Sequence, residues 1–201
     1  MVATVLIAEA TGGSYGSPSW ATVTAVRLYS ADTSDSSGVS TSNPVVIPAG
    51  TAGTAFNYSY WKHVALNIYT SPSTQITNIR HYVTWSNSWN WGTNGQIRRG
   101  NKASPVGCPT ADYNPATGTS GTTGNSIEGS SGHNYYNGQS YPVADLTQDN
   151  STNPATIDST SYTTGSSTTY TYGVVLQVRI SSDATQGAQT ANVCTWMYDE
   201  S

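Results

Sequence analysis

Eleven carboxylates, three imidazoles and two thiols are the groups with which this chain could do acid–base, metal or nucleophilic chemistry. Glycoside hydrolysis needs two carboxyl groups flanking one bond, one of them desolvated enough to stay protonated. Asp32, Asp35, Asp112, Asp149, Asp158 and Asp183 stand instead in stretches rich in Ser, Asn and Gly, where Asp ordinarily bonds its own backbone to make a turn. His63 and His81 would approach each other if their strands pair. One added Asp would then give a metal site or a triad, but a plain cross-strand contact is the preferred reading. The sequence holds no H-E-x-x-H. Asp32-Thr33-Ser34-Asp35-Ser36-Ser37 is rich in oxygen yet lacks the ordered acidic spacing and the Gly of a calcium loop, so it reads as a solvated loop. Cys108 and Cys194 allow one pairing: a disulfide tying the middle of the chain to its last strand, or two buried thiols. Without a CxxC or a His at ligand spacing, no metal site is expected. The expectation is a protein with no catalytic residue, no metal and no cofactor.

Aromatic side chains are the more suggestive feature. Trp85, Trp89 and Trp91 lie in Trp85-Ser86-Asn87-Ser88-Trp89-Asn90-Trp91, interleaved with small polar residues, and Tyr135-Tyr136-Asn137-Gly138 has the same mixed character. Trp and Tyr faces can stack on sugar rings while Asn and Ser bond hydroxyls. The same residues can plug the end of a sandwich or anchor a subunit interface, where Trp and Tyr are enriched, and packing or interface is the preferred reading. Arg98-Arg99-Gly100-Asn101-Lys102 is the only basic cluster. Arg98, Arg99 and Lys102 are candidates for charge-assisted contacts to an acidic neighbour, with an exposed loop as the alternative.

The elements that must position these groups are strands. Charged residues make up 9% of the 201-residue chain, against about 25% in ordinary soluble domains. Helix formers are scarce, and Thr, Val, Tyr and Trp suit a pleated, half-buried surface. Strands are expected over residues 2–9, Trp20–Ala31, Pro44–Pro48, Tyr60–Tyr69, Ile76–Trp85, 174–181 and Thr190–Asp199. The Tyr60–Tyr69 and Ile76–Trp85 runs, separated by Ser71-Pro72-Ser73, read as an antiparallel hairpin. Lys62 falls on the apolar parity of its strand and is expected at an exposed strand start. Residues 100–170 show little alternation, and because a bare loop that long is improbable they are expected to be short strands, an excursion packed on the sandwich, or an arm reaching a neighbour. Pro142-Val143-Ala144-Asp145-Leu146 could anchor the segment, and deletion of residues 110–165 is expected to leave a folded monomer that no longer assembles. Together these give one domain over residues 1–201: an all-β, antiparallel β-sandwich, with a jelly-roll winding as one form of it.

Composition also bounds partners. A net charge of −4 and no large basic patch argue against nucleic acid, and no run of about 18 apolar residues suggests a membrane helix. The start, Met1-Val2-Ala3-Thr4-Val5-Leu6-Ile7-Ala8-Glu9, has no basic region ahead of its short apolar run, so synthesis in the cytoplasm without a signal peptide is expected.

Residues 58–91 and the ending Thr190-Ala191-Asn192-Val193-Cys194-Thr195-Trp196-Met197-Tyr198-Asp199-Glu200 resemble virion structural proteins of tailed bacteriophages. Such chains are poor in charge, rich in Thr, Gly and Asn, and often close on an aromatic-x-Tyr-Asp-Glu strand. The resemblance covers about half the chain and implies a capsid decoration, auxiliary head or tail-surface protein. It would act by self-association and by packing against the major capsid or tail protein, on a virion assembled in the host cytoplasm. The alternatives are a carbohydrate-binding module or adhesin using Trp85, Trp89 and Trp91, and a secreted filament or surface-layer subunit at the cell surface.

Overall fold

Val, Ile, Leu and Thr, spaced by single polar residues, make the regular structure of this chain nearly all strand. The computed structural model describes residues 2–34, 42–84, 90–139, 143–146, 149–163, 169–187 and 193–201. In order the strands are β1 (Thr4–Ser14), β2 (Ser17–Thr22), β3 (Phe56–Tyr58), β4 (Lys62–Thr70), β5 (Gln75–Thr84), β6 (Gln96–Gly100), β7 (Gly118–Thr119), β8 (Thr123–Gly124), β9 (Val143–Asp145), β10 (Ala155–Asp158), β11 (Tyr162–Thr163), β12 (Thr169–Tyr170), β13 (Val174–Ser181) and β14 (Val193–Glu200). Thr110–Asp112 forms a 3-10 turn.

Two antiparallel sheets form. The first has ten strands, with β2-β1-β4-β13-β3-β8-β7 as its main path; β12 continues along β4, and β6 and then β9 extend from β13. The second has four: β5 pairs β14, and also pairs β10 and β11. Val64, Val174, Leu176, Val178 and Ile180 of the larger sheet meet Val83 and Ile157 of the smaller one, with Trp91 and Leu146 in the same cluster. Leu66 and Ile68 meet Ile76, Ile79 and Tyr162 beside them. Each such side chain contributes roughly 1.5–3 kcal/mol by leaving water, so these two clusters clamp the sheets together. The all-β sandwich expected from composition is therefore what the chain forms; a jelly-roll winding is not established by this strand order.

Several expectations need correction. β4 and β5 are consecutive but lie in different sheets, so the 60–85 region is a crossover between layers and not a hairpin. Both runs carry enough apolar residues to be central strands, and each finds better partners far away: β1 and β13 for β4, β14 for β5. Asn78, at φ 54°, shifts the alternation of β5 so that both Ile76 and Ile79 are buried. The Trp20–Ala31 run is strand only to Thr22, and Pro44–Pro48 forms no strand, although Val46 N–H donates to Thr122 O at 2.9 Å.

The described residues of 100–170 are short strands and turns laid on the sandwich. Cys108, Ala116, Ile127, Tyr135 and Tyr136 pack with Tyr60, Trp61 and Val175 in a third cluster on the outer face of the larger sheet. Gln177 of β13 seals it: its side-chain carbonyl accepts the Ile127 N–H at 3.1 Å, and its amide donates to Ser59 O and Asn125 O at 2.8 Å each. Both faces of β13 are thus covered, which is why Val175 and Gln177 are as buried as Val174 and Leu176. Removing residues 110–165 would uncover that face, so the deletion expected to leave a folded monomer would instead take away one of the three cores.

Candidate functional site

The outer face of the larger sheet holds a cluster of buried polar groups. β4 places His63 opposite Ala10 of β1 and Val175 of β13. Cys108 is held by a reciprocal bridge to Gly173: its N–H donates to Gly173 O at 2.8 Å, and the Gly173 N–H donates back at 2.9 Å. His133 sits in a turn whose N–H donates to Ile127 O at 3.0 Å, while its own carbonyl accepts from Tyr136 N–H at 2.9 Å. The three side chains converge, one nitrogen from each imidazole and the Cys108 Sγ all lying within 4.8 Å of one another. Aromatic rings wall the cluster. Trp20 and Tyr113 stand 5.7 Å from the His63 ring, and Trp61 and Tyr136 stand 5.6 and 5.2 Å from His133.

Desolvation sets the protonation states. Burial lowers the pKa of both His63 and His133 to about 3, so both rings are neutral at ordinary pH. Burial, with a smaller contribution from the charge of Asp112, pushes the Cys108 thiol well above its usual value. A neutral thiol between neutral imidazoles is not the activated thiolate–imidazolium pair of a cysteine nucleophile. Polar demand is left unmet. Neither His63 nitrogen nor His133 Nε2 has a hydrogen-bond partner, a loss of about 1–3 kcal/mol for each buried group. Nδ1 of His133 accepts a long bond from Tyr135 N–H at 3.3 Å, and the Cys108 thiol has only weak acceptors, Pro109 O and Asp112 O at 3.4 Å each.

Gly173 is the device that lets the cluster close. A Cβ there would stand 2.2 Å from both Cδ2 and Nε2 of His63 and 2.9 Å from Val64 O. Gly173→Ala is expected to push His63 out of place and to cost about 1–3 kcal/mol, read from urea unfolding, with shifted imidazole signals in NMR. An alanine variant of wild-type stability with unmoved His63 signals would refute this role.

A second polar knot lies beneath β1 and β4. Lys62 Nζ is 3.2 Å from Glu9 Oε1, both side chains fully buried, and donates to Ala31 O at 3.0 Å and Thr33 O at 2.7 Å. It also sits 4.5 Å over the Tyr29 ring, whose hydroxyl donates to Thr33 O at 2.6 Å. Asp32 accepts Gly12 N–H at 3.0 Å; burial raises its pKa, opposed by that bond and by the Lys62 charge. The expectation of an exposed Lys62 is thereby overturned. It keeps its apolar parity and is paid for by a carboxylate, two carbonyls and a ring.

The remaining candidates are dispersed. Trp91 is buried in the inter-sheet core, and Trp85 and Trp89 lie outside the described residues. Tyr135 and Tyr136 are buried too, with hydroxyls donating to Pro105 O at 3.1 Å and Val106 O at 2.8 Å, so Trp91, Tyr135 and Tyr136 offer no open ring face for a sugar. Arg98 and Arg99 are not on an exposed loop: both are buried on β6. Arg98 pairs with Glu128, and Arg99 reaches both oxygens of Asp149 at 2.8 and 3.3 Å. Lys102 Nζ lies 3.9 Å over the Tyr135 ring. Cys108 and Cys194 are free thiols, so no disulfide joins them. His63 and His81 do not meet, since His81 belongs to the smaller sheet and packs on Trp196 at 5.0 Å. His133 drew no notice in the sequence, because nothing in the linear spacing of His63, Cys108 and His133 announces that they converge.

No family model, no curated protein and no solved structure matches this chain.

Proposed function

We propose that this chain is a virion structural protein, of the capsid-decoration or tail-surface type, that works by associating with copies of itself and with neighbouring subunits. One observation carries the reading: its ionic groups are fasteners of its own fold. Every acidic side chain that the structure describes holds another part of the chain. Glu9 takes Lys62, Glu128 takes Arg98, Asp149 takes Arg99 and Asp199 takes Arg80. Asp32 takes Gly12 N–H, Asp112 the Tyr15 hydroxyl, Glu200 the Ala3 N–H and Asp183 both Thr93 donors. Asp158 accepts from Thr160, Tyr162 and Tyr172. The cations Arg27, Arg179 and Lys102 likewise bond carbonyls or cover rings. Such a molecule is rigid, and among the described residues no acid pair is left aside for catalysis.

The edge strand β14 supports association. Among the described strands it bonds only β5. Cys194, Trp196 and Tyr198 pack inward, while Val193 is 61% exposed. An eight-residue strand with one open side is a template for pairing with another chain, here a second copy. Light scattering and electron microscopy of the purified protein should show concentration-dependent oligomers, and Thr195→Lys with Met197→Lys should dissolve them while circular dichroism stays unchanged. A wild-type chain that stays monomeric at high concentration and does not co-sediment with virions would refute the proposal.

A further inference from the structure

We propose that His63, Cys108 and His133 form a buried binding site for one borderline-soft transition-metal ion, of which Zn²⁺ is the type. Imidazole nitrogen and thiolate sulfur are the donors zinc takes in structural sites. At bond lengths of about 2.0–2.1 Å to nitrogen and about 2.3 Å to sulfur, tetrahedral ligand atoms stand about 3.3–3.7 Å apart. The three donors already lie within 4.8 Å of one another, so a contraction of about 1.5 Å at most closes them on an ion. Elements distant in sequence are needed to bring them there: β4, the Cys108–Gly173 bridge and the 127–137 turn. Gly173 lacks the Cβ that would occupy the space beside His63.

The unmet polar demand is the second, independent sign. His63 is buried with both nitrogens unpartnered, and His133 is fully buried with Nε2 unpartnered. A metal ion satisfies one nitrogen of each ring at once. Proton accounting is simple. The Cys108 S–H proton leaves to solvent as the metal–sulfur bond forms. The His133 proton moves from Nε2 to Nδ1, giving up the 3.3 Å contact with Tyr135 N–H. A bare thiolate facing Pro109 O and Asp112 O would be repelled, so the cation is what makes the thiolate tenable. The competing occupant is a water molecule, which would bridge donors about 4.6 Å apart at ordinary hydrogen-bond lengths.

Because the site is closed by Trp61, Tyr113 and Tyr136, the ion must enter as the chain folds. The test is to refold the full-length chain, reduced, with Co²⁺ or with Zn²⁺, and dialyse away free metal. The expected result is one cobalt per chain, with a thiolate-to-cobalt charge-transfer band and the visible bands of a low-coordinate site. Zn²⁺ should displace it and raise the melting temperature, and a chelator present during refolding should abolish both effects. Cys194→Ser should keep the charge-transfer band and Cys108→Ser should lose it. Should Cys108→Ser fail to fold, cadmium NMR of the wild-type chain decides, through a shift characteristic of one sulfur and two nitrogens. A natively folded wild-type chain that retains no metal and shows no charge-transfer band, or a band that survives Cys108→Ser, would overturn the proposal and leave water as the occupant. Neither result bears on whether β14 mediates assembly.

Discussion

Lowering the pH from 7 to 5 will strip this protein of much of its stability. In the unfolded chain each imidazole takes a proton near pH 6.5, whereas burial holds His63, His81 and His133 neutral in the fold until about pH 3. Arg99 adds to the effect at His81, and the nearby His63 at His133. Between those pH values the unfolded state binds more protons, so stability falls as pH falls, and the loss is complete only below about 3. Each histidine contributes as much as about 2 kcal/mol of the loss at pH 5, against a total stability of about 5–15 kcal/mol for a domain. Asp32 opposes the trend: its raised folded pKa contributes stability that is present at low pH and lost as pH rises through that value. Guanidinium unfolding at pH 7, 6 and 5, with a chelator present so that metal release is not read as proton uptake, measures the slope. His81→Gln should flatten it by about a third. An unfolding free energy that is the same at pH 7 and pH 5 would show that the three rings are not neutral and buried together.

Replacing Lys62 by Met is expected to cost about 3–5 kcal/mol, because it strands Glu9 without its cation in a fully buried place. The Ala31 and Thr33 carbonyls and the Tyr29 ring lose the same partner. The penalty belongs to the abandoned carboxylate more than to the lost attraction, so adding Glu9→Gln to Lys62→Met should recover a large part of it. Denaturant midpoints of the wild type, both single variants and the double variant form the cycle. A Lys62→Met chain within about 1 kcal/mol of wild type would mean that water reaches the pair.

Strands were legible wherever one face is apolar and the run is long. Val174–Ser181 was read to the residue, and the runs that became β1, β4, β5 and β14 were found within a few positions. Their pairing was not legible. Proximity in sequence suggested that β4 and β5 form a hairpin, yet the burial of Val64, Leu66 and Ile68 against Val83, Ile76 and Ile79 requires that the two strands face each other across layers. The middle of the chain was missed for a different reason. Cys108, Ile127, Tyr135 and Tyr136 are buried from turns, where no period of two or 3.6 exists to announce a buried face. Arg98 and Lys62 misled because a cation on a strand is ordinarily solvated, and only the position of Glu128 and Glu9 shows otherwise. The His63–Cys108–His133 cluster follows from that same middle segment and so was invisible with it.

The mutual neutralisation of Lys62, Arg80, Arg98 and Arg99 by Glu9, Asp199, Glu128 and Asp149 has an outward consequence. It leaves an exterior made largely of hydroxyls and amides, whose contacts act over a few ångströms, far inside the roughly 8–10 Å over which physiological salt quenches a field. Whatever this molecule adheres to, brine and distilled water should serve the bond about equally well.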